Sequence, residues 1–257
     1  MPVADRLSWA REATAAVAFL TRIPVGRLVA FDGRDVARGT PFYPFVGAAV
    51  GALVGLTAHE LQRPLTPALA AGLALVVGAV LTGALHLDAI ADCADALGAS
   101  SRERALEIMR DHTIGAYGAT ALLLDLFIKG AAVAALVRSG HVVAVTAAAG
   151  AAARAAPVLL AHALPYARAQ GTAAAISEHG TGRRAAAAAA FAIALAVAML
   201  AHVGVAVVLL VLGVAGLVTV LAGLSWWHWL GGVTGDTLGA TTELVETAVL
   251  VVAVALV

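Results

Sequence analysis

The stretch Gly83-Ala-Leu-His-Leu-Asp-Ala-Ile-Ala-Asp-Cys-Ala-Asp95 ends an apolar run that is long enough to cross a membrane. Its aspartates stand at positions i, i+4 and i+7, so on a helix all three lie along one face. Three carboxylates on one face repel one another, and each costs about 2.5–3.5 kcal/mol at the centre of a bilayer. This acidic stripe (Asp88, Asp92 and Asp95) therefore needs a compensating cation. Hard oxygen donors without a thiolate or an imidazole favour Mg²⁺ over zinc, which predicts a magnesium site at a membrane boundary.

The composition of the whole chain predicts a membrane protein. Apolar residues make up 61% of the 257 residues, charged residues make up 12%, and the mean hydropathy is +0.94. Soluble domains have about 45–50% apolar and about 25% charged residues. We therefore expect an all-α, polytopic helical bundle with about six or seven transmembrane helices, forming a single membrane-embedded catalytic domain over residues 1–257. The formal net charge is zero, so the composition indicates no nucleic-acid partner.

Apolar runs of about 20 residues, the length that crosses a bilayer, recur along the chain. Residues 8–21 are interpreted as an amphipathic helix at the membrane interface with Trp9 as an anchor, inside a cytoplasmic or interfacial segment 1–40. Spans are predicted at 43–60, 66–87, 114–137, 141–163, 185–201 and 203–224. The segment 240–257 is either a seventh span or a re-entrant or interfacial helix. Glycines recur every four residues in the first span, a spacing that suits close helix packing: Gly47, Gly51 and Gly55.

The distribution of arginines predicts the orientation in the membrane. With the N-terminus in the cytoplasm, the loops 88–113, 165–184 and 225–239 face the cytoplasm as well. These loops and the N-terminal segment hold twelve arginines, and the opposite side holds only Arg63 and Arg138. This imbalance satisfies the positive-inside rule. The orientation places the acidic stripe on the cytoplasmic face of the cytoplasmic (inner) membrane, in a multi-pass protein.

Five further charged residues near or inside the spans are candidates for function. Arg110 and Asp111 directly precede the span at 114–137, where an arginine offers planar donors to phosphate oxygens and an aspartate offers a further metal ligand. Asp125 and Lys129 are spaced i, i+4 within that span, which indicates a mutually neutralising pair. Arg154 has no acidic neighbour in sequence, so it needs an anion from another helix or from a ligand. We interpret it as a contact for phosphate.

A second polar stretch, Gly231-Gly-Val-Thr-Gly-Asp-Thr-Leu-Gly239, interrupts the apolar pattern near the C-terminus. Glycines permit unusual backbone angles and close approach, as a polyanionic ligand requires. Asp236 is predicted to bind a metal or to orient an acceptor hydroxyl, with Thr234 and Gly235 contacting the substrate. An ordinary turn is the alternative. His86 lies off the helical face of Asp88 and is interpreted as a hydrogen-bonded interfacial histidine rather than a general base.

The chain resembles the cobalamin synthase family, also called the adenosylcobinamide-GDP ribazoletransferases. The resemblance begins with the segment from His86 to Asp95, which is similar to the acidic signature of that family. Further matching strings follow the family's order from about residue 19 to residue 246: Phe19-Leu-Thr-Arg-Ile-Pro-Val, Tyr43-Pro-Phe-Val-Gly47, Leu106-Glu-Ile-Met-Arg-Asp111 and Thr234-Gly-Asp-Thr-Leu-Gly-Ala. Alanines stand where the family often has glycine after the first and last aspartates, at Ala89 and Ala96.

The resemblance implies a late step in vitamin B12 assembly. Adenosylcobinamide-GDP and α-ribazole, or its 5′-phosphate, would give adenosylcobalamin, or its 5′-phosphate, and GMP, with Mg²⁺ as the cofactor. We expect the metal ligands to be Asp88, Asp92, Asp95 and Asp111, and the proton acceptor to be Asp236 or an aspartate of the stripe. Phosphate and substrate contacts are expected from Arg110, Arg154, Thr234 and Gly235. The partners are the two substrates and the lipid bilayer, and assembly into a homo-oligomer is left open.

Two alternatives remain at the level of sequence. A CDP-alcohol phosphotransferase that makes phospholipid also uses an aspartate cluster at a membrane face, but the glycine and arginine positions of its motif are missing around the acidic stripe. An ion-coupled transporter could use the stripe as an ion path together with Asp125, Lys129 and Arg154. Against a transporter, the carboxylates cluster near one face, and no inverted repeat is visible.

Overall fold

The architecture is a bundle of long helices joined by short turns. The computed structural model describes residues 3–27, 31–111, 113–168, 171 and 173–256, and within this part no strand is formed. Six helical stretches are long and apolar enough to cross a membrane, and a sharply bent helix pair makes a seventh if it counts as one span. The predicted all-α, polytopic membrane fold is therefore confirmed.

The helices of the N-terminal half begin with α1, over Val3–Leu20. Its Trp9 makes an edge-to-face contact with Phe42 at a centroid distance of 6.5 Å. The following helices, with the 3₁₀ turns between them, are α2 (Gly33–Gly39), α3 (Tyr43–Leu61), α4 (Pro67–Thr82), α5 (Leu85–Ala96) and α6 (Arg102–Ile108). The interfacial position predicted for α1 stays a prediction, and residues 1, 2 and 28–30 of the N-terminal segment lie outside the described residues.

The helices of the C-terminal half are α7 (Ala116–Ser139), α8 (Val142–Ala163), α9 (Ala174–His179), α10 (Gly182–Leu200), α11 (Val205–Leu230) and α12 (Gly235–Val254). The predicted break between the spans at 185–201 and 203–224 is confirmed, and Gly204 lies in it with a φ of 148°. Helix α11 continues to Leu230, so residues 225–230 are helical rather than part of the predicted loop. The segment from 240 belongs to α12, which is long enough to be a span.

The predicted span at 66–87 is wrong at its C-terminal end. Helix α4 stops at Thr82, and α5 leaves at 93° to it. Gly83 and Ala84 form the corner with left-handed φ values of 64° and 57°. The backbone N–H of Arg22 donates a hydrogen bond of 2.7 Å to the carbonyl of Leu81, and the Arg22 side chain fills the space that a Cβ on residue 83 would need. The acidic stripe therefore belongs to a separate helix, not to a loop after a span.

Helix α8 lies at the centre of the bundle and is buried along almost its whole length. Its alanines and Gly150 present little side chain, so α3 can approach closely. A Cβ added to Gly47 would collide with the carbonyl of Gly150, and one added to Gly51 would collide with the carbonyl of Thr146. The glycine spacing in the sequence thus produces the packing that it predicted.

Substitution of Gly51 by alanine is expected to destabilise the bundle by about 1–3 kcal/mol, because the added methyl group must displace the backbone of α8. The matched control is Gly213→Ala in α11, where an added Cβ meets no atom within 4 Å. Thermal unfolding of both variants in detergent checks the prediction. Equal unfolding temperatures for the two variants would contradict it.

Candidate active site

Three polar segments meet at one end of the bundle: helix α5, the N-terminus of α12 and the chain that follows α8. A short parallel bridge joins Tyr166 to Val233. In it the N–H of Ala167 donates to the carbonyl of Val233 at 2.7 Å, and the N–H of Val233 donates to the carbonyl of Pro165 at 2.9 Å. This bridge fixes the turn before α12 against the segment that carries Arg168. The predicted loops 88–113, 165–184 and 225–239 thus meet, although much of each is helical.

The N-terminus of α12 brings a fourth aspartate to the acidic stripe. Helices α5 and α12 pack so closely that a Cβ on Gly239 would lie 2.5 Å from the Cβ of Ala89. Asp236 stands in the first turn of α12. Its negative charge acts on the carboxyl group of Asp92, as do the charges of Asp88 and Asp95. The structure therefore places Asp236 at the same end of the bundle as the acidic stripe.

The turn at Thr234 is held by reciprocal side-chain caps. The hydroxyl of Thr234 accepts a hydrogen bond from the N–H of Thr237 at 3.2 Å, and the N–H of Thr234 donates to the Thr237 hydroxyl at 2.7 Å. This capping box starts α12 at Gly235. The predicted glycine-rich loop therefore ends at Thr234, and Gly235 and Asp236 already belong to the helix.

Asp95 differs from the other aspartates of the stripe because both of its oxygens accept hydrogen bonds. The N–H of Gly115 donates to one oxygen and the N–H of Gly118 to the other, each at 2.7 Å. These N–H groups belong to the start of α7, where a helix has donors without partners. Asp95 therefore joins α5 to α7, a role that its sequence position does not reveal.

Arg110 and Asp111 lie at the surface between α6 and α7. One oxygen of Asp111 accepts a hydrogen bond of 3.0 Å from the N–H of Thr113. The positive charge of Arg110 acts on the hydroxyl of Tyr166. Arg110 therefore lies at the same end of the bundle as the bridge between Tyr166 and Val233. Burial raises the pKa of the Tyr166 hydroxyl above its ordinary value, so this group keeps its proton at neutral pH and can act as a donor.

A cavity of about 200 Å³ leads from the aspartates toward the bundle interior. Much of its wall is apolar, and it includes the stacked rings of Phe19 and Tyr43, with centroids 5.8 Å apart. The Tyr43 hydroxyl is buried without a hydrogen-bond partner. The charged and imidazole side chains in the wall are His86, Asp88, Arg154 and Asp236. His86 is buried, and its position at the membrane interface stays a prediction.

Inside the bundle, charged side chains are paired between helices. Lys129 of α7 contacts Asp125 at 3.2 Å and also Glu243 of α12, and Arg154 of α8 pairs with Glu246 of α12. The predicted pair of Asp125 and Lys129 is therefore present, with a second carboxylate added to it. Arg154 finds its anion on another helix, which is one of the two outcomes that the sequence allowed. Its contact with phosphate stays a prediction.

Sequence reasoning missed the partners of these cations. Glu243 and Glu246 lie in the segment 240–257, and no local pattern links them to Lys129 or to Arg154, which needed an anion from another helix or from a ligand. Arg168 is one of the arginines in the predicted loop 165–184. In the structure its Nη2 lies 2.7 Å from Oδ2 of Asp236, and no signal in the sequence indicated that contact.

The donor chemistry of the site fits a hard cation. Asp88 and Asp92 of α5 and Asp236 of α12 offer carboxylate oxygens, the ligand type that Mg²⁺ prefers. Asp95 offers oxygens that are already hydrogen-bonded to α7. Across the ranges that the structure describes, no three His, Cys, Asp or Glu side chains converge closely enough to hold a metal ion.

The helices and this site define a polytopic α-helical membrane protein with a carboxylate-rich cavity at one end of its bundle. The family model for cobalamin-5-phosphate synthase matches residues 12–254. The chain belongs to this family, which confirms the resemblance that its motifs indicated.

Curated relatives cover nearly the whole chain. A protein of Bradyrhizobium diazoefficiens is 40% identical over 243 residues, which are 93% of this chain and 92% of the relative. A protein of Pseudomonas aeruginosa strain UCBPP-PA14 is 37% identical over 94% of this chain and 96% of its own length. A protein of Syntrophobacter fumaroxidans is 34% identical over 94% and 97%. All three are named adenosylcobinamide-GDP ribazoletransferase. No solved structure matches the chain.

Removal of one member of the pair between Arg154 and Glu246 is expected to be costly. Arg154→Met leaves the partly buried carboxylate of Glu246 without its cation, and the loss of a buried partner costs about 3–5 kcal/mol. The double variant Arg154→Met/Glu246→Gln removes both charges and should recover part of this loss. Thermal unfolding in detergent measures both variants. A double variant as unstable as the single one would show that the pairing does not account for the cost.

Asp95→Ala is expected to loosen the start of α7, because two backbone N–H groups lose their acceptor at a cost of about 1–3 kcal/mol. Asp95→Asn keeps one carbonyl acceptor and should cost less. Hydrogen exchange of residues 115–119 measures the effect directly. Unchanged protection of these amides in Asp95→Ala would contradict the structural role of Asp95.

Proposed function

We propose that this chain catalyses the transfer for which its relatives are named. Adenosylcobinamide-GDP and α-ribazole, or α-ribazole 5′-phosphate, are converted to adenosylcobalamin, or its 5′-phosphate, and GMP, in the synthesis of cobalamin. The observation that carries the proposal is that Asp88 and Asp236 line one cavity, in a chain that matches ribazoletransferases over nearly its whole length. Family membership favours this transferase over a lipid phosphotransferase or a transporter.

The reaction exchanges one phosphate bond for another. A ribose hydroxyl of α-ribazole attacks the phosphorus attached to adenosylcobinamide, its new P–O bond forms, and the anhydride bond to GMP breaks. The hydroxyl proton goes to a carboxylate, and GMP leaves with the electron pair of the broken bond. Such a transfer depends on alignment and on neutralisation of charge rather than on a covalent enzyme intermediate.

The aspartates suit this reaction by their position. We propose that Asp88 and Asp92 hold Mg²⁺, with Asp95 and Asp111 as further ligands. When bound, the ion neutralises the diphosphate and stabilises the departing GMP. Asp236, or one aspartate of the stripe, accepts the proton of the attacking hydroxyl.

Cationic and backbone groups complete the proposed site. Arg110 at the surface and Arg154 in the cavity wall are proposed to contact phosphate oxygens through their planar donors. Thr234 and Gly235 stand at the N-terminus of α12, where backbone N–H groups without helical partners favour an anion. The apolar wall around Tyr43 provides a dry surface for the less polar part of a substrate.

We also propose that the site faces the cytoplasm, in the cytoplasmic membrane. The support is the arginine distribution, since the segments at the site end of the bundle carry most of the arginines. Both substrates carry charged or polar groups, so a site that opens to the cytoplasm lets them bind without crossing the bilayer.

The decisive experiment measures GMP release by purified protein in detergent and lipid, given adenosylcobinamide-GDP and α-ribazole with Mg²⁺ or with EDTA. We expect metal-dependent GMP and a cobalamin product in equal amounts. Asp88→Asn and Asp92→Asn should each lower kcat by about 100-fold or more, because each removes a charged ligand near the reacting phosphate. The control is Glu60→Gln, which changes an exposed carboxylate at the far end of α3.

Two results would contradict the proposal at different points. Folded wild-type protein that releases no GMP would contradict the transferase activity itself. Normal turnover in Asp88→Asn and Asp92→Asn, with GMP release unaffected by EDTA, would leave the activity in place and remove the proposed metal site.

A further inference from the structure

Arg168 is buried but poorly satisfied. Its side chain is only 9% exposed, and among the described residues its N–H groups do not all find an acceptor. Nη2 lies 2.7 Å from Oδ2 of Asp236 in an ion pair, whereas Nε has no acceptor among the described residues. An arginine normally offers its fork of N–H groups to two oxygens at once. This ion pair therefore leaves at least one N–H group of a largely buried guanidinium without an acceptor.

The backbone holds this guanidinium in place. The bridge between Tyr166 and Val233 ends directly before Arg168, and Val233 is fully buried. Arg102 adds a contact from α6, with its Nη2 at 3.5 Å from the carbonyl of Ala167. The side chain thus emerges from a tethered segment, so its position beside Asp236 is built into the fold.

The surroundings of Arg168 fit an oxyanion that arrives with a compensating cation. The charge of Arg168 reaches Asp92 as well as Asp236, so this arginine stands among the carboxylates of the site. A phosphate group can accept from Nε and Nη2 together, whereas the carboxylate of Asp236 contacts Nη2 and leaves Nε without an acceptor. The diphosphate of the donor substrate has the required charge and oxygen geometry.

We propose that Arg168 binds the diphosphate of the donor, and that donor binding displaces Asp236 from Arg168 and releases its carboxylate into the site. This inference rests on the proposed function. Before binding, Asp236 competes with the donor for the guanidinium of Arg168. After binding, its carboxylate is available to the reacting groups. Arg168 is thereby a substrate-binding residue. It pairs with the carboxylate of Asp236 when the site is empty and with the diphosphate when the donor is bound.

The test separates binding from turnover. GDP with Mg²⁺ serves as a probe of the donor's diphosphate, and its affinity is measured by titration calorimetry of the protein in detergent. The KM values for adenosylcobinamide-GDP and for α-ribazole are measured separately. Arg168→Gln should weaken GDP binding and raise the donor KM by about 10- to 100-fold, the usual effect of losing hydrogen bonds to a charged group. The KM for α-ribazole should change little.

Two further variants exclude a purely structural role for Arg168. Arg168→Lys keeps the charge without the fork and should recover only part of the GDP affinity. Asp236→Asn removes the competing carboxylate, so it should bind GDP at least as tightly as the wild type while its turnover falls. Arg168→Gln/Asp236→Asn should remain weak. The control is Arg104→Gln, an exposed arginine paired with Glu107, which should leave both GDP binding and turnover unchanged.

The outcomes distinguish this inference from the proposed function. If the wild type turns over but Arg168→Gln keeps its GDP affinity and donor KM, the inference is wrong and the transferase stands. Recovery of GDP binding in the double variant would also overturn it, because Arg168 would then serve only to neutralise Asp236. If the wild type binds GDP through Arg168 but releases no GMP from the donor, the proposed function fails instead.

Discussion

The constraint on which the structure depends is the cost of charge in a membrane interior. Lys129 and Arg154 lie inside spans, where an unpaired cation is expensive, and both are paired with carboxylates of α12. Arg154 stands nine residues before the end of α8 at Ala163, about 13 Å along the helix axis. The pairs fix the position of α12 against α7 and α8, and the N-terminus of α12 is where Asp236 enters the site.

Small residues allow the helices to pack closely enough for these pairs to form. Alanines and glycines along α3 and α8 bring the backbones into contact, so α8 occupies the centre and places Arg154 beside α12. The corner at Gly83 and Ala84 then turns the acidic stripe through 93° across the end of the bundle. Without this corner the aspartates would continue along the axis of α4 instead of meeting the N-terminus of α12.

The sequence predicts much of this fold because hydropathy and glycine spacing are local signals. The break at Gly204 and the packing of Gly51 are both visible in a single segment. The corner after Thr82 was missed because Ala84 adopts a left-handed φ that alanine rarely shows, which only tertiary contacts can impose. At the site, the i, i+4, i+7 spacing identified the aspartates of α5. The contacts of Asp95 with α7 and of Arg168 with Asp236 join distant parts of the chain, so no local pattern contained them.

Helix α12 contributes both to the site and to the ion pairs that hold the bundle together. Asp236 takes part in the site, and Glu243 and Glu246 stand two and three turns further along the same helix, tied to cations of α7 and α8. Sliding or rotating α12 to admit a large substrate would break those ion pairs. The wall of the same cavity also includes Ala173 and Ile176, at and directly before the short helix α9, and these two residues carry no charge. We therefore expect α12 to keep its position when substrate binds, because its movement would break two ion pairs between helices.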